Sequence, residues 1–169
     1  MIMKRVKTNC QTNSTQSATS LPVLQYSYLD FLLKQEIEAK ARSSDEQIWH
    51  LGKGHFEERI EKGTWLVFYG TTWCKFCKRL TPRWLRMQND FVTQKLHETG
   101  FLISKVDCTG SNEEWCATKW GVDAYPTINL YHNGKLVEEY TGDHEVQPIL
   151  SYIKEKITKY YGANKLNNL

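Results

Sequence analysis

The stretch Trp65-Leu66-Val67-Phe68-Tyr69-Gly70-Thr71-Thr72-Trp73-Cys74-Lys75-Phe76-Cys77-Lys78 decides how this chain is read. Its first five residues form the longest apolar run in the sequence, which is of strand length. Gly70-Thr71-Thr72 interrupts the run, and a long helical pattern starts near Lys75. Two cysteines thus sit where a strand gives way to a helix. Unpaired amides and the macrodipole at a helix N-terminus favour an anion, so the Cys74 thiol is expected below its free pKa of about 8.5. Cys77, one turn further in, is expected to be more shielded. The chemistry that follows is thiol–disulfide exchange. Cys74 attacks a substrate disulfide and a mixed disulfide forms. Cys77 then releases the product as it closes the Cys74–Cys77 bridge. A lone Cys-x-x-Cys is also half of a zinc site, but Cys108 and Cys116 with His50, His55, His97, His132 and His144 supply no standard spacing for the remaining ligands. No metal is expected.

Working outward, the predicted elements alternate: strand 47–51, helix 53–62, strand 65–70, helix 75–97, strand 101–107, helix 112–119, strands 127–132 and 135–140, and helix 145–160. Strands alternating with helices imply a parallel or mixed sheet covered on both faces. Asn133-Gly134 between the last two strands is a strong signal for a two-residue hairpin. The expectation is an α/β domain over 45–162, a thioredoxin fold with a central mixed sheet of about five strands flanked by helices. Residues 1–44 read as a polar leader in which Leu29, Leu32, Leu33, Ile37 and Ala41 recur at helical spacing, predicting an amphipathic helix over 29–41 docked on the domain or on a partner. Arg42-Ser43-Ser44-Asp45 reads as a polar break, and 163–169 as a disordered tail.

Phe68-Tyr69, then Trp73-Cys74-Lys75-Phe76-Cys77-Lys78-Arg79-Leu80-Thr81-Pro82, resembles the catalytic domain of the protein disulfide isomerase family. The resemblance extends to Lys105-Val106-Asp107-Cys108, to Gly121-Val122-Asp123-Ala124-Tyr125-Pro126-Thr127 and to Tyr140-Thr141-Gly142, and covers about two thirds of the chain. It implies an oxidoreductase that forms, reduces or rearranges disulfides in folding polypeptides, with Cys74 as nucleophile and Cys77 as resolving thiol; a thioredoxin-like reductase, or a redox-weak client-binding module, is the alternative. It implies a cis peptide before Pro126, facing the cysteines. Trp73, Phe76 and Tyr125 then make an apolar rim for unfolded chain, while Trp84 is expected in the core. Some disulfide isomerases carry a second, non-catalytic pair where Cys108 and Cys116 stand, so a structural disulfide is expected there, with two buried thiols as the alternative. No cofactor is implied beyond the redox-active Cys74–Cys77 pair. Cysteine-containing polypeptides are the implied partners, with a sulfhydryl oxidase or glutathione as redox partner.

Four departures from the family stand out. The connection Gly70-Thr71-Thr72 is one residue longer than usual. The family's buried acid, which helps move the proton of the second cysteine, falls at Val67 or Phe68, neither of which can transfer a proton. Lys105, the matching family lysine, is left without that acid, and Glu61 or water is the substitute to consider. His144 aligns with the arginine that family members swing toward the second cysteine, which suggests a pH-dependent version of that role or a solvated residue at a helix start. Between the cysteines, Lys75 favours the Cys74 thiolate while Phe76 removes the histidine of the Gly-His enzymes. The two effects oppose, so the direction of electron flow stays open.

The chain's 169 residues, 40% of them hydrophobic, are enough for one domain with a real core. A formal charge of +3, spread along the chain, gives no reason to expect nucleic acid, and no apolar run approaches a membrane span. Lys4, Arg5 and Lys7 in a Ser- and Thr-rich leader are loosely like an organelle transit peptide, a pattern common by chance, and a disordered leader or a truncated start is the preferred reading. Asn13-Ser14-Thr15 is a glycosylation sequon that matters only in a secreted chain, and Cys10 reads as incidental. No secretory signal or carboxy-terminal retention tetrapeptide is visible, while the resemblance implies the endoplasmic reticulum lumen, with cytosol or mitochondrion as the alternative.

Overall fold

The computed structural model of the protein describes residues 21–169, with side chains from Ser27 onward. The leader residues Lys4, Arg5 and Lys7, the polar stretch 8–20, the Asn13 sequon and Cys10 lie outside the described residues. In chain order the elements are α1 (Leu21–Asp45), α2 (Lys53–Ile60), β1 (Thr64–Gly70), α3 (Lys75–Thr93), a 3-10 turn (Leu96–Thr99), β2 (Phe101–Asp107), α4 (Asn112–Trp120), β3 (Thr127–His132), β4 (Lys135–Glu139), α5 (Val146–Tyr161) and α6 (Asn164–Asn167). The chain divides into two compact units between Lys34 and Gln35. In the first, Tyr28, Leu29, Phe31, Leu32 and Leu33 are exposed on α1. The second unit carries the sheet and the cysteine site.

Every residue of β1 is buried. A strand covered on both faces loses the in-out alternation of a half-buried one, which explains the unbroken run Trp65 to Tyr69. Because successive side chains point to opposite faces, Leu66 and Phe68 enter a cluster with Cys77, Leu80, Trp84, Phe91 and Ile153. Val67 and Tyr69 enter another with Phe56, Trp115 and Val122. The mixed sheet has the order β2-β1-β3-β4, with β1 parallel to β2 and antiparallel to β3. A parallel pair needs a crossover, and α3 supplies it. In this way the sheet delivers the C-terminal end of its most buried strand to the start of α3, where the cysteines lie. At the β3–β4 hairpin, Asn133 (φ 49°) and Gly134 (φ 79°) are both left-handed, as a type I′ turn requires.

Among the described residues four strands form the sheet, not about five. The expected strand 47–51 pairs at a single point, the parallel bridge of His50 with Lys105. The amides of Gln47 and Ile48 turn back to the carbonyls of Ser44 and Asp45, which closes α1 and leaves only Trp49 and Leu51 to bond across to Lys105. Two bonds at a sheet edge do not make a strand.

The helix predicted over 29–41 runs on to Asp45. In the second unit Ile37 is exposed, and the residues that α1 turns inward are Ala41 and Ser44, both buried. Ion pairs from Glu38 to Lys78 and from Asp45 to Lys105 hold this last part of the helix. The segment read as a tail carries the helical turn Asn164–Asn167, where Leu166 packs on the cluster that also contains Ile153 and Ile157.

Candidate active site

Cys74 occupies the N-cap of α3 in extended backbone (φ −71°, ψ 117°), so its side chain folds back over the first turn. The Cys77 backbone N–H donates to Cys74 Sγ at 3.1 Å, and the two sulfurs are joined as a disulfide. Opening that bond would leave the same amide and the helix macrodipole aimed at Cys74, the arrangement that favours a thiolate. Both cysteines are buried, Cys74 at 5% exposure and Cys77 at 1%, so only the first meets the surface appreciably. The Tyr125–Pro126 peptide is cis, and the Tyr125 carbonyl oxygen lies 3.5 Å from Cys74 Sγ. Around this mouth Trp73 is 58% and Phe76 62% exposed, too much for core residues of their size, and Trp73 meets Tyr125 edge to face. Lys75 is exposed beside them, whereas Trp84 is fully buried against Phe68.

The longer connection before Trp73 is tied down by the loop after β2. Cys108 N–H donates to the Gly70 carbonyl at 2.9 Å, and Thr72 N–H donates to Thr109 Oγ1 at 3.0 Å. Cys108 itself is disulfide-bonded to Cys116 in α4, and both sit at 0% exposure in the cluster with Phe56, Trp115 and Val122. Thr71, the neighbouring loop residue, is 2% exposed, and its hydroxyl has no partner among the described residues.

Of Val67 and Phe68, it is Phe68 that faces the cysteines. A side-chain carbon built on Gly70 would lie 3.0 Å from the Phe68 ring and 3.4 Å from Cys77 Sγ, so ring and sulfur flank the same spot. Lys105, opposite Phe68 across the β1–β2 pair, places Nζ 5.2 Å from that ring's centroid. It is 5% exposed, and a buried ammonium needs a partner. The partner is Asp45 at the end of α1, through Oδ1. Glu61 does not serve, because it lies beside Gly134, before the opposite end of β1. Burial works against charge on Asp45, but its bonds to His50 and Lys105 outweigh burial and hold the carboxyl below its ordinary pKa. His50 Nε2 lies 3.0 Å from the Asp45 carbonyl oxygen and 3.5 Å from Oδ1, and its pKa is raised chiefly by the bond to Asp45.

Sequence reasoning overlooked Asp45 because it ended the helix at Ala41. The signal was present: Glu38, Ala41 and Asp45 share one helical face if the helix continues. His144 precedes α5, next to Tyr140, with its pKa lowered by burial and by the nearby Arg83 guanidinium. Arg83 is itself paired with Glu145 at 3.1 Å. Among the described residues, no group of three or more His, Cys, Asp or Glu side chains is placed to hold a metal ion.

Residues 47–155 match the thioredoxin family. Over 115 residues the chain is 29% identical to the thioredoxin domain-containing protein 5 homolog of Drosophila melanogaster, covering 68% of this chain and 26% of that protein. It is 30% identical over 124 residues to a protein disulfide-isomerase of Datisca glomerata, covering 72% of this chain and 24% of the relative. The chain thus spans about a quarter of the length of these relatives. In fold it is similar to the first two thioredoxin domains of Naumovozyma dairenensis Eps1p, with a TM-score of 0.61 at 19% identity, over 69% of this chain and 43% of that one. With a disulfide-bonded Cys-x-x-Cys at the cap of α3, the chain belongs to the thioredoxin family and carries a thiol–disulfide redox domain related to those of the protein disulfide isomerases.

Proposed function

We propose that this domain is a protein disulfide isomerase-type oxidoreductase acting on cysteines of folding polypeptides. The observation that carries the reading is the Cys77 N–H pointing at Cys74 Sγ at 3.1 Å from the first turn of a 19-residue helix. That geometry makes Cys74 the better nucleophile and the better leaving group, because the helix end favours its thiolate over that of a client cysteine. Cys74 attacks a client disulfide, and one client sulfur leaves as thiolate. Cys77 then attacks the Cys74 sulfur of the mixed disulfide and frees the second client thiol; the reverse sequence oxidises a client. No cofactor is required beyond the Cys74–Cys77 pair. Glutathione or a sulfhydryl oxidase would restore its redox state.

Trp73 and Phe76 form the contact surface for unfolded chain, and Tyr125 with Pro126 flanks the attacking sulfur. Exposed aromatics bind apolar segments without demanding one sequence. The endoplasmic reticulum lumen is the proposed compartment, by kinship with the disulfide isomerases. His144, beside Tyr140 and Arg83, is proposed only as a residue whose protonation tunes the start of α5.

The test is oxidative refolding of a scrambled-disulfide protein in a glutathione buffer. The chain should speed recovery of the native protein, Cys74→Ser should abolish the effect, and Cys77→Ser should accumulate mixed disulfides. A wild-type chain that leaves the refolding rate unchanged contradicts the reading. A second reading, a client-binding module, is favoured by Phe68 standing where a proton acceptor is expected. In that case aggregation suppression survives Cys74→Ser with Cys77→Ser, and refolding catalysis is absent in the wild type.

A further inference from the structure

The start of α3 carries no acidic residue; after Cys74 come Lys75, Lys78 and Arg79. A helix N-terminus is already the positive end of the macrodipole, so cations there oppose it, and Lys75 and Arg79, one turn apart, also repel each other. Both effects weaken the fold and neither is offset within it. Lys78 is neutralised by Glu38 and, further along, Arg83 by Glu145. Lys75 and Arg79 are exposed and make no ion pair among the described residues. They flank the exposed Phe76, which stands three positions before Arg79 on α3, so a chain resting on Phe76 passes both charges.

The opposite wall of the mouth has the other sign. There the Tyr125 carbonyl faces Cys74 Sγ at 3.5 Å, and the Tyr125 ring meets Trp73. Asp123, two residues earlier on the same loop, and Glu113, in the first turn of α4, are exposed and make no ion pair among the described residues. Burial pushes the Tyr125 phenol above its ordinary pKa, and the negative charges of Glu113 and Asp123 push it further, as carboxylates near that wall must. Cys74 thus opens between a basic wall on α3 and an acidic one beside Tyr125.

We propose that this charge-divided mouth selects client cysteines flanked by an acidic residue on one side and a basic residue on the other, the acidic one lying along Lys75 and Arg79 and the basic one toward Glu113 and Asp123. The inference rests on the oxidoreductase reading above and names the clients that site favours. Trp73 and Phe76 hold apolar chain without demanding a sequence, so charge supplies the discrimination. A chiral cleft seats an extended chain in one direction, and the two walls differ in sign. One order of client charges is therefore attracted at both flanks, the reverse order is repelled at both, and a client charged alike on both sides gains at one wall what it loses at the other.

Single-cysteine peptides, supplied as disulfide-linked homodimers, test this on the reduced full chain carrying Cys77→Ser. Cys74 attacks, the peptide disulfide breaks, a Cys74–peptide bond forms and one peptide leaves as thiolate. Without Cys77 the adduct persists and is counted by quenched mass spectrometry. The cysteine is flanked by Asp before and Lys after, by the reverse, by Asp on both sides, by Lys on both sides, or by Ser on both sides. Each rate is divided by that of the same peptide with dithiothreitol, which removes the peptide's own reactivity. At 0.1 M salt one mixed order should react at least about fivefold faster than its reverse and than either like-charged peptide, a modest share of what steering by charge can supply. The gap should close to within about twofold at 1 M, where the screening length falls from about 10 Å to about 3 Å. Lys75→Glu with Arg79→Glu makes both walls acidic and should put the Lys-flanked peptide first. Glu113→Lys with Asp123→Lys makes both basic and should put the Asp-flanked peptide first. Arg86→Gln, about 16 Å along α3 from Lys75 at about 1.5 Å per residue, should leave the ranking as it is. A change in the Cys74 thiolate alone moves all five rates together and leaves the ranking unaltered. Equal rates for the four charged peptides, or a ranking that neither pair of substitutions alters, overturns the proposal. If no peptide forms an adduct, the Ser-flanked one included, the oxidoreductase reading itself fails and this proposal falls with it.

Discussion

The Cys74–Cys77 disulfide joins the first turn of α3 to its own cap under an exposed tryptophan and phenylalanine, whereas Cys108–Cys116 joins the end of β2 to α4 with both sulfurs fully buried. Around the first pair are an amide aimed at one sulfur and a backbone carbonyl across from it. Around the second are Phe56, Trp115 and Val122, which offer a thiolate nothing. The contrast teaches that neither spacing nor burial alone sorts a redox pair from a structural one, since Cys74 too is only 5% exposed. What sorts them is whether the setting stabilises one sulfur as an anion and leaves a path for a client to reach it. The two pairs also touch indirectly, because Cys108 and Thr109 hold the Gly70–Thr72 loop that leads into Trp73.

The contrast breaks most sharply on removal of the pairs. Cys74→Ser is expected to eliminate thiol–disulfide exchange, measured as insulin reduction or refolding of a scrambled protein. Loss of the other pair in Cys108→Ala with Cys116→Ala should lower unfolding free energy by about 2–3 kcal/mol, the loop-closure value for a short loop, read from denaturant midpoints. Exchange by the folded variant should remain. If exchange disappears with the second pair while the fold persists, the distinction drawn between the two pairs is wrong.

A smaller effect is expected at the rim. Trp73→Ala with Phe76→Ala should weaken capture of an unfolded client by about 1–2 kcal/mol, the cost of removing exposed aromatic anchors. Reaction with glutathione disulfide, which needs only the sulfurs, should be nearly unchanged. Equal losses on both substrates would show that the aromatics shape the cysteine site instead of holding clients.

The smallest effect concerns pH. Asp45 has its pKa lowered from 3.8, so its contribution to stability is present above that value and is lost as pH falls through the folded value. His50 has its pKa raised from 6.5, so its contribution is full below 6.5 and is lost as pH rises through the folded value. The ion pair therefore supports the fold most between these two limits. His50→Gln should flatten the neutral limb of a stability–pH curve, and Asp45→Asn should flatten both. Solvent at the partly exposed His50 keeps the His50→Gln change small, whereas Asp45→Asn also strips the buried Lys105 ammonium of its partner and lowers stability at every pH.

The chemistry of the first pair was legible in the sequence because it is local: an apolar run, three loop residues and a helix start place Cys74 at a cap wherever the rest of the chain goes. The hairpin at Asn133-Gly134 and the burial of Trp84 were legible for the same reason, turn chemistry in one case and helical periodicity in the other. The strand at 47–51 was misread because its pattern suits a strand while the end of α1 takes up its first amides, a competition that periodicity does not register. Asp45 was missed for a related reason. Its pairing with Lys105 spans 60 residues and depends on how far a helix of mixed pattern continues before it stops.

The most direct test of the account is a glutathione and dithiothreitol redox titration of the full chain with mass-spectrometric assignment of each thiol. The account predicts that Cys74 and Cys77 open between about −120 and −270 mV, the range of working Cys-x-x-Cys proteins, while Cys108 and Cys116 remain joined until below about −300 mV. Simultaneous opening of the two pairs, or a Cys74–Cys77 bond that outlasts Cys108–Cys116, would contradict it.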